Sequence, residues 1–226
     1  MIRALVFDFD GVILDTETPF FRSWQEIYRE HGFDLSIQDW ASMLGSFSDP
    51  EIPYEQLEDF VGFPLDREAI RTRRSKREME LLADEHILPG VEAILHEGRR
   101  LGLALAVASS SDRPWVTTHL KRVGLLSKFD CIKCAEDVEF TKPFPDLYQS
   151  VLLSLHIKPS QAIAFEDTLN GIMAAKRAGL YCVAIPNPIT RHSPMPDADR
   201  VVQSLQDVVL EELIEKLNHQ SEFSTG

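Results

Sequence analysis

Short, almost purely apolar runs separated by helical patterns set the framework of this chain. The runs are Ala4–Phe7, Leu103–Ala108, Cys131–Cys134, Ala162–Phe165 and Cys182–Ile185. Near-continuous Val, Ile, Leu and Ala is what a parallel sheet requires when helices cover both of its faces. Val91–Arg100 follows the breaker pair Pro89-Gly90, and Arg113–Val123 follows Asp112, a good N-cap type, with Pro114 in the first turn. Pro145–Leu155 follows Lys142-Pro143, and Leu169–Ala178 follows Thr168 and stops at Gly179. Leu205–Leu217 reads as a final amphipathic helix. Strand and helix alternate, which predicts an α/β fold with right-handed crossovers.

The stretch from Thr16 to Ala83 breaks this alternation. Helical patterns cover Phe20–His31, Gln38–Leu44, Tyr54–Val61 and Arg67–Leu82, with no clear strand between them. An all-helical insertion between the first and second strands predicts a cap over the ligand end of the sheet. The expected division is a discontinuous core, residues 1–15 and 84–226, with residues 16–83 as the cap. Trp24 and Trp40 fit packing inside the cap. Arg67–Arg77 is rich in Arg and Lys, and a solvated helix face is its plain reading. The polar stretch His219–Gly226 reads as a frayed end.

Charge and cysteine usage exclude several classes. The 226 residues carry a formal net charge of −13 and a pI of about 4.9. A nucleic-acid binder needs a basic face, and docking on anionic lipid needs the same, so neither partner is expected. No apolar run is long enough to span a bilayer, and the start, MIRALVF, lacks a signal-peptide layout, which makes the cytoplasm the default compartment. Cys131 and Cys134 form a C-x-x-C, but three residues apart in a strand they point to opposite faces, and no second pair completes a zinc site. With Cys182 they read as core thiols. His31, His86 and His96 lack metal-ligand spacing.

The chemistry concentrates where apolar runs end. Asp8 and Asp10 share a face as the first strand leaves the sheet, and Gly11 allows a sharp turn. Ser109, Ser110 and Ser111 follow the second run. Lys142 lies in the loop after Cys131–Cys134, and Glu166 and Asp167 follow Ala162–Phe165. Open parallel sheets bind ligands beyond their carboxyl ends, so these residues are expected on one edge. Carboxylates this close repel each other unless something neutralises them. A divalent cation with a phosphate does so: Asp8 and Asp167 offer hard oxygens suited to Mg²⁺, Ser109 and backbone N–H groups suit phosphate oxygens, and Lys142 adds fixed positive charge.

DFDGVILDTE, VASSS, KPFPDLY and FEDTLNG, in that order, resemble the motifs of the haloacid dehalogenase superfamily of phosphotransferases. The likeness is nearest to the subgroup holding beta-phosphoglucomutase and small-metabolite phosphatases. It implies a Rossmann-like parallel-sheet core with an inserted all-helical cap, and a Mg²⁺-dependent phosphatase acting on a small phosphorylated metabolite. By this resemblance Asp8 is the nucleophile and forms an aspartyl-phosphate. Asp10 is the acid/base and also offers its backbone carbonyl to the metal. Ser109, Ser110 and Lys142 bind the phosphoryl group, and Asp167 and Glu166 ligate the metal. Thr16 sits at the cap hinge, with Glu17 beside it facing substrate. A monomer is the expected state.

The resemblance thins in the cap. Mutase members carry a histidine where this chain has Phe20, and an arginine in a cap loop that here reads Leu44-Gly45-Ser46-Phe47-Ser48-Asp49. A mutase must hold a bisphosphate against hydrolysis, so both losses favour a phosphatase over the mutase alternative. Arg71, Arg73, Arg74 and Lys76 read as helix surface rather than as a grip on a second phosphate. Asp15 is expected to support the hinge, and Pro186-Asn187-Pro188 to direct a loop. A calcium loop is a poor fit, because D-x-D-G lacks the third ligand before its glycine. A dehalogenase would not need Asp10 or the motif around Asp167.

Overall fold

The computed structural model describes residues 1–44, 51–192 and 195–223. Positions 45–50, which hold most of the cap loop that lacks an arginine, lie outside the described residues. The core is one parallel sheet of six strands: β1 (Ala4–Phe7), β2 (Ala104–Ala108), β3 (Cys131–Lys133), β4 (Ala162–Glu166), β5 (Tyr181–Ala184) and β6 (Arg200–Val201). Their spatial order is β3-β2-β1-β4-β5-β6. The first five match the apolar runs. The two-residue β6 is exposed and carries no apolar run to announce it.

Period-two alternation divides the buried strand residues between two faces. On one face Leu5, Phe7, Leu105, Val107, Ile163, Phe165 and Val183 form a core with α5 (Val91–Arg100), α6 (Arg113–Arg122) and α9 (Leu210–Phe223). On the other, Ala4, Val6, Ala106, Ala108, Ala162, Ala164 and Cys182 meet α7 (Asp146–Leu155) and α8 (Leu169–Arg177). Small side chains there let those helices lie close to the sheet. Cys134 packs into the first face and Cys131 against the second, as free thiols. The N-caps predicted at Asp112 and Thr168 form: their side chains accept from Trp115 N–H at 2.7 Å and Gly171 N–H at 3.1 Å.

Two expectations need correction at the C-terminal end. The helix predicted over Leu205–Leu217 is split into a 3₁₀ turn, Leu205–Asp207, and α9, with Ser204 capping the turn. The stretch read as frayed is helical as far as Phe223.

Between β1 and α5 run α1 (Glu17–Glu30), α2 (Ile37–Leu44), α3 (Ile52–Val61) and α4 (Arg67–Ala83), with no strand among the described residues. Phe21, Trp24, Ile27, Tyr28, Trp40, Tyr54 and Leu57 bury one another in a core separate from those of the sheet. Ile189, from the loop after β5, packs into this cluster and ties it to the sheet's edge. Among the described residues, no helix is long and apolar enough to cross a membrane.

Candidate active site

A parallel sheet whose strand order reverses opens a crevice at the reversal, beyond the carboxyl ends of its strands. Here that point is β1, flanked by β2 on one side and β4 on the other. Asp8 is the first residue past β1, its N–H still donating to Phe165 O at 2.9 Å. Glu166 ends β4 and Asp167 follows it. One oxygen from each of Asp8, Glu166 and Asp167 lies within 4.8 Å of the others, and all three residues are buried. Lys142, whose side chain is 5% exposed, enters this cluster from the β3–α7 connection. Its Nζ is 2.8 Å from Asp8 Oδ1 and 2.7 Å from Glu166 Oε1.

Each carboxylate is anchored through one oxygen. Asp8 Oδ1 also accepts from Phe9 N–H at 2.7 Å. Glu166 Oε1 accepts from the buried Tyr148 hydroxyl as well as Lys142. Asp167 Oδ2 accepts from Asn187 Nδ2 at 2.7 Å. That leaves Glu166 Oε2 and Asp167 Oδ1 buried with no hydrogen-bond partner among the described residues. Unpartnered buried acceptors are costly unless a ligand meets them. Hard oxygens with no donor, set beside a second acidic group, suit a hard divalent cation.

Glycines make the close approach possible. Gly11 has φ +74°, and a Cβ there would lie 2.2 Å from Asp167 Oδ2. A Cβ on Gly171, in the first turn of α8, would lie 1.9 Å from Glu166 Oε2.

The electrostatics follow from burying three carboxylates with one ammonium. Burial first, then the Glu166 charge, pushes Asp8 well above the usual carboxylate range, and Lys142 pulls it back in part. Asp167 is raised by burial, then by Asp8. Lys142 is raised because the pull of Asp8 and Glu166 exceeds the burial penalty on its charge.

Asp10 stands in a second cluster. Its Oδ2 accepts from Ser111 Oγ at 2.6 Å and Ser109 Oγ at 3.3 Å, and its Oδ1 from Trp115 Nε1 at 2.9 Å. Ser110, between the two serines, is exposed. Thr16 is buried at the start of α1 with its hydroxyl unpartnered among the described residues. Asp15 caps the same entry by accepting from Thr18 N–H at 2.9 Å.

Glu17 marks the seam between sheet and insert. Burial first, then the charges of Asp10, Asp15 and Glu78, raise its carboxyl to about 7. Asp10 and Asp15 belong to the loop after β1, and Glu78 to α4. A raised value means the native state binds the proton more tightly than the unfolded chain does. Stability from this group is therefore full below about pH 4 and is lost as pH rises through about 7. Glu17→Gln is expected to reduce the fall in melting temperature between pH 5 and 8, measured in chelator. An unchanged slope would refute this account of Glu17.

The family model for haloacid dehalogenase-like hydrolases matches residues 5–185. The chain belongs to that family. Within it, YhcW of Bacillus subtilis (strain 168) is 42% identical over 221 residues, 98% of this chain and 100% of the relative. Validoxylamine A 7'-phosphate phosphatase of Streptomyces hygroscopicus subsp. limoneus is 30% identical, over 95% of this chain and 96% of its own length. The crystal structure of CbbY from Rhodobacter sphaeroides in complex with phosphate aligns with a TM-score of 0.72 and 30% identity, covering 95% of this chain and 100% of that one. This haloacid dehalogenase-like protein is a phosphoric monoester hydrolase.

Three site features of this hydrolase lie outside the sequence reading. Asn187 does more than direct a loop: its Oδ1 accepts from Ile189 and Thr190 N–H at 2.8 and 2.9 Å, which turns its Nδ2 toward Asp167. The rule that polar residues ending apolar strands point at the site would have found it, since Asn187 follows β5. Arg74 is not open helix surface. It pairs with Glu78 at 2.6 Å, the two side chains 12% and 15% exposed, and its guanidinium lies 4.6 Å from the centroid of the Phe20 ring. Trp115 is the third: its indole Nε1–H donates to Asp10 Oδ1 at 2.9 Å, and nothing in the sequence singles it out.

Proposed function

We propose that this hydrolase is a Mg²⁺-dependent phosphatase that cleaves a small phosphomonoester, a sugar phosphate or similar metabolite, through an aspartyl-phosphate on Asp8. The observation that carries this reading is the buried convergence of Asp8, Lys142, Glu166 and Asp167 at the β1–β4 crevice. The donors named above both reach Asp8 Oδ1, which leaves Oδ2 for attack on phosphorus. As the Oδ2–P bond forms, the bond from phosphorus to the ester oxygen breaks, and Asp10 gives its proton to that oxygen. Asp10 then takes a proton from a water that attacks phosphorus, releasing inorganic phosphate and Asp8. Ser109, the backbone beside Ser110, and Lys142 hold the phosphoryl oxygens.

Asp8, the Asp10 carbonyl, Glu166 and Asp167 would hold Mg²⁺, and the unpartnered oxygens of Glu166 and Asp167 support that fit. Bound there, the ion supplies charge neutralisation between an anionic substrate and an anionic nucleophile. Helices α1–α4, over residues 16–83, would act as the cap, hinged at Thr16, with Glu17 toward the substrate. Closure of such a lid excludes water.

The substrate's small size is supported by the relative that acts on validoxylamine A 7'-phosphate. Phe20 supports hydrolysis over the mutase alternative: its ring lies against Arg74 and Trp40 and offers no proton-transferring group. Acid quench during turnover of a ³²P-labelled sugar phosphate tests the intermediate. Label is expected on the peptide carrying Asp8, and none in Asp8→Asn. Label on another residue would overturn the assignment.

A further inference from the structure

Trp115 is not explained by packing alone. It lies in the first turn of α6, partly buried, with its backbone fixed by Asp112 at 2.7 Å. Its ring meets the buried His119 edge-on, centroids 4.5 Å apart, and His119 in turn stacks on Phe9 at 6.4 Å. Phe9 is the residue between the two aspartates. The indole is thus braced on the loop that carries Asp10, and its one polar atom donates to Asp10 Oδ1 at 2.9 Å.

The donors on the two oxygens of Asp10 differ in kind. An indole N–H is a donor only, on a rigid ring with two side-chain torsions. The hydroxyl of Ser111, on Oδ2, rotates freely and can accept instead. Ser109 Oγ is already an acceptor for Ser111 N–H at 3.0 Å. Oδ2 can therefore exchange partners without moving the carboxylate, while Oδ1 cannot. We propose that Trp115 is a positioning residue: it anchors Asp10 through Oδ1, so that Oδ2 is the oxygen that hands its proton to the leaving group. This rests on the acid/base role proposed for Asp10.

The test compares two substrates by kcat/KM, which reads steps only as far as phosphoryl transfer to the enzyme. An alkyl phosphate has a leaving oxygen that needs a proton, whereas p-nitrophenyl phosphate does not. Trp115→Phe keeps an aromatic ring and removes the donor. It is expected to lower kcat/KM on the alkyl phosphate by about 10- to 100-fold, the scale of a misplaced acid, and on p-nitrophenyl phosphate by under about 3-fold. Equal falls on both substrates, or no fall on either, would overturn the inference.

A second measurement does not need that variant to fold. The indole N–H cross-peak of Trp115, assigned through its proximity to His119, should move in Asp10→Asn while those of Trp24 and Trp40 stay; an unmoved peak overturns the contact. Asp10→Asn also separates the two levels. If it leaves the alkyl phosphate rate intact, the acid/base role fails and this inference with it. If it abolishes that rate while Trp115→Phe behaves as wild type, only the anchoring role fails.

Discussion

Asp8→Asn is expected to abolish phosphate release while making the metal-free protein more stable. Loss of a nucleophile that acts as part of a unit costs on the order of 10⁶-fold in turnover. The stability gain has a separate cause. Asp8 is buried beside Glu166, and both burial and that charge favour its neutral form. Asn is neutral, nearly the same shape, and adds no charge to the crevice. Relief of that repulsion raises the melting temperature, at about 2–4 °C for each kcal/mol in a chain of this size. The measurement is thermal unfolding in chelator at pH 8 beside phosphate release with Mg²⁺. A variant that is inactive and also less stable would mean that Asp8 holds the fold together rather than being tolerated for function.

Lys142→Met is expected to fail in both respects. Lys142 is the ammonium between Asp8 and Glu166, at 2.8 and 2.7 Å, and its side chain is almost wholly buried. Removing one partner of a buried ion pair typically costs about 3–5 kcal/mol, because the remaining charge is left uncompensated. Met keeps the length of the side chain and so isolates the charge. The loss should be smaller at pH 5 than at pH 8, since Asp8 and Asp167 are already pushed toward their neutral forms and can take up protons. Turnover should fall by about 10²- to 10³-fold in the fraction that stays folded, as expected when a fixed charge that stabilises the transition state is lost. Equal destabilisation at both pH values would show that packing rather than charge dominates at this position.

The core was legible because its signals are local and repeated. Apolar runs of four to six residues placed β1 to β5, and the polar residues that directly follow three of them placed Asp8, Ser109, Glu166 and Asp167. One rule about strand ends in parallel sheets then brought those residues to one edge. Lys142 was legible as a loop lysine before a helix, though not its placement between two particular carboxylates.

What was not legible depends on side-chain direction across the fold. Arg74 lies in a run of basic residues, and only the packing of α4 against α1 turns it onto Phe20 while its neighbour Arg73 stays at the surface, paired with Glu30. Trp115 and Asp10 are 105 positions apart, and no periodicity links an indole N–H to a carboxylate at that distance. Asn187 lies three residues past the end of β5 and sits between two prolines, which draw attention to backbone direction instead. The two-residue β6 pairs only at the sheet's edge and needs no apolar run.

Inorganic phosphate release from a panel of sugar and short-chain phosphomonoesters, with Mg²⁺ and in chelator, is the most direct measurement of the central claim. Mg²⁺-dependent release from at least one member, lost in Asp8→Asn, is the predicted result. Release that continues unchanged in chelator and in Asp8→Asn would contradict it.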